Sequence, residues 1–155
     1  MSAAVLPSLD QFLRTMIPLS GAMGVRVEPE EGEALVLTAP LAPNRNALNT
    51  AFGGSLAALA TLAGYGVMWE LMQQDGAGLS GYRIVIKEGK TTYRRPVAGE
   101  LRAICARPSG LVVTAFREAL ARYGQARLTL HPRIVEDGQV AVDCRSTYVV
   151  VRQAA

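Results

Sequence analysis

The stretch Leu56-Ala-Ala-Leu-Ala-Thr-Leu-Ala-Gly-Tyr-Gly-Val-Met-Trp69 carries no charged residue over fourteen positions. A bilayer takes about 20 apolar residues, so this run is too short to span one. Six of the fourteen are Ala or Gly, which lets neighbouring elements approach closely. The run therefore reads as the buried helix of a soluble protein, opening at Gly54 or Ser55 and ending at Gln73, before Asp75-Gly-Ala-Gly78. Leu56, Leu59, Leu62, Val67, Met68 and Trp69 spread all round its wheel. A single sheet covers only one side of such a helix, so a second copy of the chain is expected to cover the other.

Upstream, Ser8-Leu-Asp-Gln11 reads as a capping box opening a short helix that Pro18 and Gly21 end. Val25 and Val27, then Leu35 and Leu37, alternate as in a hairpin turning at Glu30 to Glu33. Residues 40–54, PLAPNRNALNTAFGG, have the Pro, Asn and Gly content of a loop. Downstream, residues 81–87 and 91–95 form a long strand in two pieces, with a bulge expected at Gly89. Residues 100–106 give another strand. A short helix carries Val113, Phe116, Leu120 and Tyr123 at helical spacing and stops at Gly124. Strands 125–135 and 139–152 flank Asp137-Gly138, a hairpin turn. The sum is one α+β domain over residues 1–155, an antiparallel sheet of about six strands wrapped around one long central helix.

The composition agrees with a packed core. The chain has 155 residues, 50% hydrophobic and 19% charged, which excludes disordered and fibrous classes. A net charge of +3 with 6% aromatics does not point to nucleic acid. The first twenty residues lack the pattern of a secretory signal, and Cys105 and Cys144 stand apart from any metal-ligand spacing. A cytoplasmic protein with buried spectator thiols, no membrane span, no metal and no cofactor is the expectation. The single histidine, His131, alternates onto a solvent face.

Reactive potential concentrates in Asn44-Arg-Asn46-Ala-Leu-Asn49-Thr50-Ala-Phe52-Gly53-Gly54-Ser55. Two glycines at a helix start let a ligand reach unpaired N–H groups where the helix dipole favours a negative oxygen. An oxyanion hole for acyl transfer needs that arrangement. Between Arg83 and Arg107, seven cations face only Glu88 and Glu100, and Lys90, Arg94 and Arg95 are the best candidates to attract a substrate's phosphates.

The phrases Ala39-Pro-Leu-Ala-Pro-Asn44-Arg-Asn46, Thr50-Ala-Phe-Gly-Gly-Ser-Leu56 and Tyr93-Arg-Arg-Pro96 resemble the hotdog-fold thioesterases, in particular the thioesterase domain of the YiiD C-terminal type, over residues 8–152. That resemblance implies a hotdog fold and hydrolysis of acyl-coenzyme A, or of an acyl-carrier thioester, at a site shared between subunits of a dimer or dimer of dimers. Better-described relatives place an Asn seven residues before the first glycine and an acid eight after it. Those positions are Asn46 and Thr61 here, so the Asn matches and Thr replaces the acid. Phe52 stands where His is frequent, which argues against hydratase chemistry.

The residue chemistry and the resemblance together assign catalysis to Asn46, Gly54, Ser55 and Thr61, with Asn49, Thr50, Phe52, Gly53, Lys90, Arg94 and Arg95 binding substrate. Gly53 and Thr61 lie about 12 Å apart along one helix, so a single thioester reaches both only if they come from different chains. Glu88 is the nearest substitute for the missing acid, whereas Glu70 and Asp75 sit at the far helix end. The missing acid also keeps open an alternative, an acyl-CoA-binding or structural hotdog domain without hydrolysis.

Overall fold

The computed structural model describes residues 7–29, 32–74 and 78–154. The elements run α1 (Leu9–Met16), α2 (Pro18–Met23), β1 (Arg26–Val27), β2 (Ala34–Ala39), a 3-10 turn (Ala42–Asn44), α3 (Gly53–Gln73), β3 (Tyr82–Tyr93), β4 (Leu101–Ala106), α4 (Gly110–Tyr123), β5 (Gln125–Leu130), β6 (Arg133–Glu136) and β7 (Gln139–Arg152). Two expected features, Glu30-Glu31 of the first turn and Asp75 to Ala77 after the long helix, lie outside the described residues.

All the strand pairings are antiparallel, and the sheet curls around α3. Seven strands occupy six positions, because β5 and β6 lie end to end along the same edge of β7, parted at His131-Pro132. The order across the sheet is β1, β2, β4, then β5 with β6, then β7, then β3. The expected hotdog architecture is the one observed. His131 is exposed at the break, as its alternation predicts.

Helix α3 is the core. Leu59 and Met68 are fully buried, and the helix packs on β2, β3, β4, β6 and β7. Tyr148 of β7 lies against Gly64, where an added Cβ would fall 2.7 Å from the ring carbons, so only glycine admits the ring. The Tyr148 hydroxyl donates to the Thr61 carbonyl at 2.8 Å and ties the sheet to mid-helix.

Part of the sheetless side of α3 is covered by the chain's own first helix. Leu9 and Leu13 of α1 are buried against it, and the Phe12 ring lies 5.3 Å from Trp69 and 6.4 Å from Tyr65. Helix α1 thus covers part of this side, and Ala58, Thr61 and Tyr65 stay partly exposed. At 21 residues α3 also exceeds the fourteen-residue run and has the length and composition of a membrane span, yet 67% of its apolar window is buried inside the chain. That burial is what a core helix shows.

Local chemistry moves three boundaries. Pro18 opens α2 rather than closing α1, since proline suits the first helical turn. Ser55 is the third residue of α3, and the N-cap is Phe52, which makes no side-chain capping bond. β3 is continuous, and its bulge falls between Ile86 and Glu88, at Lys87, while Gly89 pairs in register with Ser146.

The buried titratable groups predict alkaline sensitivity. Burial pushes the Cys105 thiol up to about 12 and raises Cys144, Tyr65 and Tyr148. A group raised on folding contributes its full stabilisation below its unfolded value, here 9.0 for the thiols, and loses it as pH rises toward the folded value. Urea midpoints should therefore hold up to about pH 8.5 and fall steadily from there to about pH 11. A constant midpoint across that upper range would contradict the burial of these groups.

Candidate active site

The site is built where the Asn-rich loop meets the start of α3. Asn44 is buried, and its amide donates to the carbonyls of Met23 and Pro40, both at 2.8 Å. Its own carbonyl accepts from Phe52 N–H at 2.7 Å, and Ala51 N–H donates to Val97 at 2.7 Å. These bonds fix the loop's two ends against the core. Between them, Asn46 closes the turn: its side-chain oxygen accepts from Leu48 N–H (2.8 Å) and Thr50 N–H (3.1 Å), and its amide donates to the Thr50 hydroxyl (2.8 Å). A second donation, to the Ala51 carbonyl, is long at 3.5 Å. Asn49 takes the left-handed conformation (φ 61°) that asparagine tolerates, and its side chain accepts from Arg45 at 3.3 Å.

The loop delivers the chain to an open helix end. The first turn-closing bond of α3 is Leu56 N–H to Phe52. Among the described residues, no acceptor meets the N–H groups of Gly53, Gly54 and Ser55. Gly54 is exposed, and the Phe52 ring, itself 57% exposed, lies over it. On the other side stands Tyr93, whose hydroxyl donates to the Gly53 carbonyl at 3.0 Å. Two aromatic rings thus flank an uncapped helix N-terminus, which attracts a partial negative charge.

Along α3, Gly54, Ala58, Thr61 and Tyr65 share one face, and none of the four is fully buried. Thr61 is half-buried, with its carbonyl held by Tyr148. Among the described residues, no carboxylate occupies that face. Glu70 is taken by Arg107 in a paired contact at 2.8 and 3.1 Å.

The structure sorts the remaining candidates by sheet face. Cross-strand partners share a face, and Tyr148 marks the helix side of β7. By that register Gly89, Thr91 and Tyr93 lie on the helix side. Glu88, opposite Thr147, and Lys90, opposite Arg145, lie on the outer side. Arg94 reaches Asp143 at 3.2 Å on that outer side, and Arg95 is exposed. Within one chain, then, Asn46, Asn49, Thr50, Phe52, Gly53, Gly54 and Ser55 come together, Thr61 lies two turns along the helix, and Lys90 and Arg94 face away. Tyr93 is the residue that sequence reasoning missed, although it begins the Tyr-Arg-Arg-Pro phrase.

Among the described residues no cluster of His, Cys, Asp or Glu could hold a metal. What the arrangement can do is polarise a carbonyl at the helix end and position a water by a hydroxyl.

Residues 6–152 match the family model described as "Putative thioesterase (yiiD_Cterm)". A crystal structure of a protein of unknown function from Chlorobaculum tepidum is 33% identical, with a TM-score of 0.88 over 94% of this chain and 93% of that one. The putative thioesterase of Shewanella oneidensis is 28% identical, with a TM-score of 0.80 over 92% of this chain and 94% of that one. A thioesterase from Haemophilus influenzae shares the fold at 14% identity, with a TM-score of 0.67 over 97% of this chain and 95% of that one. With a family model spanning nearly all its length, the chain belongs to the putative thioesterase family of the YiiD C-terminal type.

Proposed function

We propose that the protein hydrolyses an acyl-CoA thioester to free acid and thiol, at a site shared between two copies of the chain. The observation that carries this reading is the open start of α3, with three unpaired N–H groups at Gly53, Gly54 and Ser55. The thioester oxygen would sit there, and its developing negative charge would be met by fixed donors that need no reorganisation. Asn46 holds the loop in register, and the amide hydrogen in its long 3.5 Å contact is the one the substrate oxygen would take over. Tyr93 and Phe52 close the two sides of the thioester carbonyl.

Thr61 from the second copy would orient the attacking water. Threonine donates and accepts hydrogen bonds without serving as a base near neutral pH, so hydroxide or a proton acceptor outside this face completes the reaction. The second copy is supported by the free edge of β3. Among the described residues this twelve-residue strand pairs with β7 on one side only, and Val85 (43%), Ile86 (47%) and Tyr93 (52%) are exposed along it. A long edge with apolar side chains is a template for pairing with another strand. Arg95, with Lys90 and Arg94 from the outer face, would attract the phosphates of coenzyme A.

One observation favours the second reading, binding without hydrolysis: the open face of α3 bears no carboxylate. Thiol release across acyl-CoA chain lengths separates the two. The proposal expects slow but saturable turnover for at least one chain length. Tight acyl-CoA binding with thiol release at the uncatalysed rate would establish the binding reading instead.

A further inference from the structure

A groove of about 690 Å³ separates helix α4 from the outer face of the sheet, the face turned away from α3. Tyr148 marks the α3 side of β7, so Val149, the next residue, points outward into the groove. Its cross-strand partners, Arg127 on β5 and Val85 on β3, point the same way. The volume is that of a small-molecule cleft, for which about 300–1,000 Å³ is usual.

The α4 wall is apolar at helical spacing, through Val112, Ala115, Ala119 and Tyr123. This stripe runs for about 17 Å. Val112 and Tyr123 are 43% and 66% exposed, so an apolar surface of the helix faces solvent along the groove. An exposed apolar strip rimmed by polar groups marks a binding surface.

Two cations complete the lining. Arg127 flanks Val149 from β5, and Lys87 flanks it from the bulge of β3. The two strands lie about 10 Å apart, one on each side of β7. Among the described residues neither cation is in an ion pair, and no carboxylate lines the groove. Further along β3, Arg83 and the Lys90–Arg145 pair add positive charge on the same face, against Glu88.

We propose that this groove binds a single-chain aliphatic carboxylate, with its chain laid along α4 and its head group held between Lys87 and Arg127. The planar fork of Arg127 matches the two oxygens of a carboxylate, and Lys87 supplies a second point charge. Size excludes a bulkier occupant. Spread over the stripe, the volume leaves a cross-section of roughly 40 Å², whereas an α-helix with its side chains takes roughly 80–110 Å². A hydrocarbon chain fits. The groove lies across the sheet from Gly53–Ser55 and uses none of the residues assigned to hydrolysis, so the inference goes beyond the hydrolase reading and does not rest on it.

The test titrates the intact protein by calorimetry with hexanoate, octanoate, decanoate and decanol, each below its aggregation concentration, and locates the site by methyl NMR. Each added methylene should tighten Kd about three- to fourfold. Decanol should bind at least about tenfold more weakly than decanoate. Signals of Val112 and Val149 should move while that of Ala58 on α3 stays. A Lys87→Glu/Arg127→Glu variant should weaken decanoate at least about tenfold and leave decanol within about twofold. Ala115→Trp fills the groove and should abolish both, whereas Arg26→Glu, on β1, should change neither by more than about twofold. Shifts confined to Ala58 and Thr61 would place the ligand on the α3 side and overturn the inference. So would a loss in Arg26→Glu equal to that of the double variant, or binding to phosphatidylglycerol vesicles without binding of monomeric decanoate. Groove signals that follow protein concentration and ignore decanoate would mark an interface between copies and overturn it too. Thiol release from acyl-CoA is measured separately, so the hydrolase reading can fail without this inference, and this inference without that reading.

Discussion

Gly54→Pro is expected to lower kcat for thioester hydrolysis by about 10²–10³-fold while leaving the fold intact, because it deletes one donor of the open helix start. Gly54 is the second residue of α3, and its N–H has no partner among the described residues, so proline costs no backbone bond there. The preceding residue is Gly53, which lacks the Cβ that makes helical geometry unfavourable before proline. Gly54→Ala is the control. It keeps the N–H and asks only that the exposed Phe52 ring swing away from the new Cβ. Circular dichroism establishes that both variants fold. A folded Gly54→Pro variant that turns over at the parent rate would move the oxyanion site away from this helix end.

Thr61→Ala should lower kcat by about ten- to a hundredfold with little change in KM, since a misplaced water costs rate rather than ground-state binding. The substitution leaves the Tyr148 bond in place, because that bond goes to the Thr61 carbonyl and not to its hydroxyl. Loss of rate therefore reports on the hydroxyl alone. Asn46→Ala should cost at least as much, since it frees the Leu48 and Thr50 N–H groups and opens the loop. An unchanged kcat in both variants would dismiss these two residues from the reaction.

Much of this architecture was legible in the chain because local signals and global packing coincide. The uncharged run from Leu56 to Trp69 has no place in a small domain except its centre. Asp137-Gly138 takes φ of 51° and 73°, the positive values a tight hairpin turn demands. Ser8 caps α1 through Gln11 N–H at 3.2 Å, as the capping box requires.

Other features depend on pairings that single-chain periodicity does not contain. A bulge can sit at any residue whose partner strand leaves it unpaired, so the glycine at 89 drew attention from Lys87. The shift has consequences for the site. Straight alternation from Ile84 and Ile86 would place Glu88 and Lys90 on the helix side. The extra residue at Lys87 reverses the parity and brings Gly89, Thr91 and Tyr93 there instead. One unpaired residue thus hides Tyr93 from the sequence reader and sends Lys90 and Glu88 outward. The covering of α3 by α1 was illegible for a similar reason. An apolar wheel says that a helix is enclosed, but Phe12 reaching Trp69 across more than fifty residues is a tertiary fact.

The shared site is tested most directly by complementation. Gly54→Pro and Thr61→Ala chains, differently tagged, are co-expressed, and the mixed dimer is isolated through both tags. If each site takes its helix start from one copy and its threonine from the other, one of the two sites in the mixed dimer carries both lesions and the other carries none. The mixed dimer should then recover about half the parent activity, far above either variant alone. A mixed dimer no more active than the mean of the two variants, or chains that sediment as stable monomers, would contradict a site shared between subunits.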